Sequence, residues 1–341
     1  MMMRTGKLAV AVFAVALAAC APAWADTCTT QSQMTAADRS ALASVASDLA
    51  AKIQAGDSAG IHAESVAEIA KDFAAVSDVV TSTAPKLKGG AAAVEAVYLL
   101  DGSTMKPAAD GSPADAQFFC TLNRSSADVD FLIPSLPAGK YGFAIVEFPG
   151  TAAPWRLSFL LRSDQGRWLM AGLYPRPTTA AGHDGLWYWQ QARKLSEEKE
   201  PWNAWLYYRQ AQALLLPADF VRSTHSEKLE TEIVSAAPPA LSDGISTGKP
   251  LVVRAKDGKE YRFTGLGVDD SLNAASIDIA AHLQSGPLAD QAAIRQQNIA
   301  AMSALLGAYP ELRKAFHGVW VFSDVEGQGS YPTEQAMSDI P

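Results

Sequence analysis

Two stripes of apolar residues at helical spacing open the readable part of the chain, and a change of period follows them. Leu42, Val45, Leu49 and Ile53 recur three or four residues apart, behind Thr35 and Asp38 in a capping-box arrangement. Gly56 is the expected stop, and Val66, Ile69, Phe73 and Val76 make the second stripe. Lys88-Gly89-Gly90 interrupts it. From about residue 95 to 175 the period is two, in the runs EAVYLL, AQFFCTL, VDFLIPSL, KYGFAIVEF, RLSFLLR and RWLMAGLY. Asp110-Gly111-Ser112-Pro113, Pro137-Ala138-Gly139 and Asp164-Gln165-Gly166 separate these runs. The last is short enough to close a hairpin between Trp155–Arg162 and Arg167–Tyr174. Helices followed by a curved antiparallel sheet make an α+β plan, with the helices covering one face.

Residues 184–217 return to helical patterning, DGLWYWQQARKLSEEKEPWNAWLYYRQAQALLLP, broken at the charged piece Ser196–Glu200. Pro201 stands at a favoured helix start, and Ala204, Tyr208, Ala211 and Leu215 form one stripe. The helical hairpin segment extends over 184–235, and Ala236–Ser246 opens a linker spanning 236–249. Beyond it, Pro250–Arg254 and Glu260–Leu266 flank Asp257-Gly258, a hairpin signal. Ile277, Ile279, Ala281 and Leu283 share one side of a further strand. A helix from about 288 to 306 and a strand at Gly318–Asp324 complete a β-β-β-α-β plan, a second small α+β domain over 250–341.

Helices followed by a curled sheet with a closing hairpin resemble the cone fold shared by ketosteroid isomerase and nuclear transport factor 2, over residues 35–178. The resemblance implies a cone whose interior is lined by one face of the sheet. Ala192, Ala204, Tyr208, Ala211 and Pro217 resemble a single tetratricopeptide-type hairpin. One such repeat does not bury its own face, and no second copy follows.

Composition adds a compartment. Arg4 and Lys7, the twelve-residue apolar run Leu8–Ala19 and Ala23-Trp24-Ala25 read as an export signal over residues 1–25. Its apolar run is too short to span a bilayer. Leu17-Ala18-Ala19-Cys20 also resembles a bacterial lipobox, which places a lipid on Cys20 instead. The expected location is periplasmic or secreted, or membrane-anchored if Cys20 is lipidated. Of the three cysteines, Cys28 and Cys120 then remain as an even pair, and an oxidising compartment favours joining them. Two separate buried thiols are the alternative. Hydrophobic content of 48% against 19% charge is globular, and the net charge of −8 argues against nucleic-acid partners.

Candidate chemistry is sparse. Gly244-Ile245-Ser246-Thr247-Gly248 matches the G-x-S-x-G pattern but follows a proline-rich loop and precedes a strand, the wrong setting for a nucleophile elbow. Ser246-x-x-Lys249 and Ser196-x-x-Lys199 lack the companion motifs of serine–lysine enzymes. The histidines at 62, 183, 225, 282 and 317 have no metal-ligand spacing, and Asp269-x-Ser271-x-Asn273 lacks the glycine of a calcium loop. Neither a metal nor a cofactor is expected. His282 beside Asp278 suggests at most a surface ion pair. Asp128 and Asp130 read as a solvated strand edge.

Glu147 is the sharpest candidate, because Tyr141, Phe143, Ile145 and Glu147 share one strand face. Inside a cone, Glu147 beside aromatics would serve as a general base with Tyr141 as oxyanion donor, unless Arg156 holds it in an ion pair. Trp187, Trp189, Trp202 and Trp205 are interaction candidates, with burial between the two α+β domains as the competing role. The sequence reading is an exported bacterial envelope protein. Its expected role is non-catalytic, binding or structural, with an envelope protein or small molecule as partner and membrane contact only through the lipid. The alternatives are an isomerase- or dehydratase-like enzyme using Glu147 and a tetratricopeptide-like scaffold.

Overall fold

A computed structural model describes residues 27–122, 127–151, 153–271, 274–287, 290–327 and 329–341. The expected export signal, with Cys20, lies outside the described residues. A short strand β1 (Thr27–Thr30) precedes helix α1 (Ala36–Ala55). Thr35 caps α1, accepting the Asp38 N–H at 3.1 Å, and Gly56 ends it in the left-handed conformation at φ 71°. The second apolar stripe does not form one helix. It folds as α2 (Ser58–Ala63), α3 (Ala67–Lys71) and α4 (Ala74–Thr83). The break has a cause: the Val66 N–H donates to the Met170 carbonyl at 2.9 Å, and the Met170 N–H to Glu64 at 2.7 Å. Residues 64–66 leave helical geometry to bond an edge strand of the sheet.

The six expected strands are β2 (Ala93–Gly102), β3 (Ala116–Thr121), β4 (Asp128–Ile133), β5 (Gly139–Phe148), β6 (Trp155–Asp164) and β7 (Arg167–Pro177). The β6–β7 hairpin turns on Gln165 and Gly166, both at positive φ (48° and 81°), as a two-residue hairpin loop requires. A small ribbon, β8 (Thr179–Ala180) and β9 (His183–Asp184), leads into α5 (Gly185–Glu197) and α6 (Pro201–Leu215). After these, β10 (Val221–Ser223) returns to the sheet before α7 (Thr224–Ala236). The eight strands run in the order β10-β4-β3-β1-β2-β5-β6-β7 and curl into a half-barrel. β4 is therefore not the edge expected from Asp128 and Asp130: β10 pairs with it, Arg222 opposite Asp130, while Asp128 stays exposed beyond the pairing.

Period-two alternation divides the sheet into two buried faces. Val97, Ala144, Val146, Phe148, Leu157 and Phe159 pack against α1 and α4 on the outer, convex side. Leu100, Phe118, Phe131, Tyr141 and Phe143 fill the inside of the curl. Cys28 of β1 and Cys120 of β3 are joined in a disulfide across 92 residues of chain. The chain is α+β, as its patterning implies.

The second sheet has the order β11-β12-β13-β14-β15, from β11 (Leu251–Arg254), β12 (Glu260–Asp269), β13 (Asp278–Ser285), β14 (Gly318–Val325) and β15 (Gly329–Ala336). α8 (Gln291–Ala308) crosses between the parallel pair β13 and β14. Ile277, Ile279, Ala281 and Leu283 are all buried on one side. That side shares one continuous core with α5, α6 and α7. Leu241 and Ile245, from the segment read as a linker, belong to this core too.

Candidate functional site

The curled sheet presents its inner face toward α5, α6 and α7, and the two do not close completely. Between them lies an apolar cavity of about 260 Å³. Tyr98, Phe143 and Ile145 form its sheet wall, and Leu186, Trp189 and Leu229 its helical wall. It therefore sits where the core of the half-barrel meets the core shared by the helices and the second sheet. Pockets at such junctions are the usual place for a small ligand, and this one falls just below their usual range of roughly 300–1,000 Å³. Arg222, His225 and Ser226 supply polar groups at its rim.

Each wall follows from local sequence. Alternation in β2 and β5 sends Tyr98, Phe143 and Ile145 inward while Val97, Ala144 and Val146 face α1. Tyr98 meets Phe131 edge-on at 5.2 Å, and burial raises its pKa, so the wall carries a neutral phenol. Asp184 caps α5 by accepting the Trp187 N–H at 2.8 Å, and Ser223 and Ser226 cap α7 reciprocally. α5 and α7 are locked together at Glu232. Its carboxylate accepts from Trp189 Nε1 at 2.7 Å and from Arg193 Nε and Nη2 at 2.8 and 2.7 Å. The Arg193 hydrogen bonds hold Glu232 below the usual carboxylate pKa.

Of the expected catalytic face, the cavity takes Phe143 and Ile145 but neither Glu147 nor Tyr141. Arg156 Nε and Nη2 donate to Glu147 Oε1 at 3.2 and 3.1 Å, and Arg156 Nη1 donates to the Leu215 carbonyl at 3.2 Å. Glu147 is thus committed to fastening β5 and β6 to the end of α6. The Tyr141 hydroxyl donates to the Pro137 carbonyl at 2.8 Å, which occupies it locally.

The four tryptophans divide. Trp189, Trp202 and Trp205 are only 8%, 5% and 8% exposed, so packing consumes them. Trp202 lies against Tyr309 at 3.9 Å and joins α6 to the second sheet's connection. Trp187 is partly buried, stacked on His183 at 3.7 Å, and borders a second, polar cleft of about 360 Å³. In that cleft His317 Nδ1 lies 3.2 Å from Asp278 Oδ1, a carboxylate only 4% exposed. His282 pairs with Asp324 at 3.0 Å rather than with Asp278. Ser246 sits in a tight turn, its N–H donating to the Lys249 carbonyl at 3.1 Å, with no elbow. Among the described residues no group of three or more metal-ligating side chains converges, and no helix is long and apolar enough to cross a membrane.

What the sequence did not reveal is the α7 part of the helical wall; α5, with Leu186 and Trp189, lies in the helical patterning read from 184 on. Leu229 and Ile233, four apart in α7, carry the helical signal, but β10 breaks the pattern just before them. Neither protein-family models, curated proteins nor solved structures contain a match to this chain.

Proposed function

We propose that the protein is an exported, non-catalytic binding protein of the bacterial envelope that holds a small apolar ligand between its curled sheet and its helices. The observation that carries this reading is the cavity itself. Its lining is almost wholly apolar, it joins two separate cores, and it contains none of the carboxylates that chemistry there would need. The signal-like residues 1–25 and the Cys28–Cys120 disulfide support export, because disulfides persist in oxidising compartments. Cleavage after Ala25 gives a free protein, whereas lipid on Cys20 tethers the same fold to a membrane. Residues 35–178 keep the order of helices then curled sheet on which the cone resemblance rests, but β1 and β10 from outside that range complete the sheet.

A neutral fluorescent naphthylamine tests the reading. Its emission should rise on adding the protein and fall when decanol displaces it; no rise overturns the proposal. Glu147→Gln should leave this binding unchanged. A loss of more than about tenfold, with an unaltered melting temperature, would reinstate Glu147 in a ligand site.

A further inference from the structure

A polar cleft of about 320 Å³ adjoins the apolar cavity, and the two share Leu216, Val221, Arg222 and Ser226 as a common wall. Three arginines line it: Arg176 from β7, Arg209 from α6 and Arg222 from β10. In a chain of net charge −8, this convergence runs against the composition. Asp219 and Glu230 are the acidic residues of the same cleft, one fewer than the arginines. Arg176 is taken by Asp219 at 2.7 Å. Arg209 only donates to Gln212 at 3.1 Å and lies over the Trp205 ring. Among the described residues, neither Arg209 nor Arg222 has an ion-pair partner. The capped N-terminus of α7, at Ser226, adds positive partial charge to the same wall.

We infer that the ligand is an amphipathic anion, an aliphatic or alicyclic body ending in a carboxylate or phosphate. This rests on the binding function proposed above and names its ligand class. The body fills the apolar cavity, and the head crosses the shared wall at Arg222 to reach Arg209. A planar guanidinium matches a carboxylate or phosphate with two parallel hydrogen bonds, and charge-assisted bonds of this kind are the strong ones. The geometry gives each half of such a molecule its own compartment. Neither compartment alone explains why an apolar pocket opens beside unpaired arginines.

Calorimetric titration with decanoate, decanol and acetate separates the contributions. Decanoate should bind about tenfold more tightly than decanol, and acetate should give no measurable binding at the same concentrations. The double variant Arg209→Ala/Arg222→Ala should remove the advantage of decanoate and leave decanol unchanged. Both side chains are exposed, so the fold should survive, which the melting temperature checks. Asp219→Asn frees Arg176 and should strengthen decanoate binding alone. Equal binding of decanoate and decanol, unaffected by the arginine variants, would overturn the anionic inference while the binding function stands. Acetate binding as tightly as decanoate would overturn it as well. Failure of both ten-carbon ligands would overturn the binding function itself.

Discussion

Arg176 and Asp219 lie 43 residues apart in sequence and meet at 2.7 Å, tying β7 at one edge of the curled sheet to the residues that enter β10 at the other. Beside this pair Tyr174 and Phe220 meet edge-on at 5.1 Å, and Phe220 also touches Phe143 inside the curl. The half-barrel is therefore closed by side chains where backbone pairing stops. Asp219 is 92% exposed, and an ion pair with so exposed a partner contributes at most about 1 kcal/mol. The aromatic contact carries the seam. Phe220→Ala should cost about 2–4 kcal/mol in urea unfolding. Asp219→Asn should cost less than about 1 kcal/mol. Equal costs would show that the seam is ionic.

The disulfide fixes the strand that sequence periodicity did not reveal. β1 is four residues long and pairs with β2 from Thr27↔Asp101 to Thr30↔Tyr98, while Cys28 is bonded to Cys120 of β3. Breaking that link frees both the strand and a long loop of the unfolded chain. Cys28→Ser/Cys120→Ser should therefore lower stability by about 2–5 kcal/mol, measured by thermal and urea unfolding. A change below about 1 kcal/mol would show that β1 is held by its hydrogen bonds alone.

Glu232 makes the helical wall sensitive to acid. Its folded-state pKa lies below the ordinary 4.5, chiefly through the Arg193 hydrogen bonds, with Trp189 and Tyr208 also bonding to it. A lowered carboxylate pKa stabilises the fold fully above the ordinary value, and the contribution fades as the pH falls from about 4.5 through the lowered one. Glu232→Gln should cost about 1–3 kcal/mol at pH 7, as expected for hydrogen bonds to a charged group. The gap between wild type and variant should narrow as unfolding is repeated at pH 5, 4 and 3. A gap that stays constant over this range would exclude ionisation of Glu232 as its source.

Much of the architecture was legible because alternation and capping are local signals. Thr35, Gly56, the turn at Gln165-Gly166 and the inward series Ile277, Ile279, Ala281 and Leu283 all follow from spacing alone. β10 and β15 were not legible, for different reasons. β10 has only three residues, too few for a period, and its pairing partner Phe131 lies 90 positions earlier. β15 carries Pro332, a poor strand residue that its position at the sheet edge tolerates. The inner face through Tyr141, Phe143, Ile145 and Glu147 was readable in β5. The Glu147–Arg156 pair was readable too, because the two face each other on neighbouring strands nine residues apart; only the curl and the three helices decide that Ile145 meets a cavity. The contacts around Ile145 reach Leu186, Trp189 and Leu229, far along the chain, and no local pattern encodes them.

If the space beside Ile145 receives a ligand, filling it abolishes binding. Ile145→Trp places an indole in the cavity from a partly buried position on its sheet wall. Calorimetric titration with decanol should show saturable binding to the wild-type protein and at least a tenfold loss in the variant, with the fold retained in circular dichroism. Undiminished binding to a folded Ile145→Trp protein, or no binding to the wild type, would contradict the account.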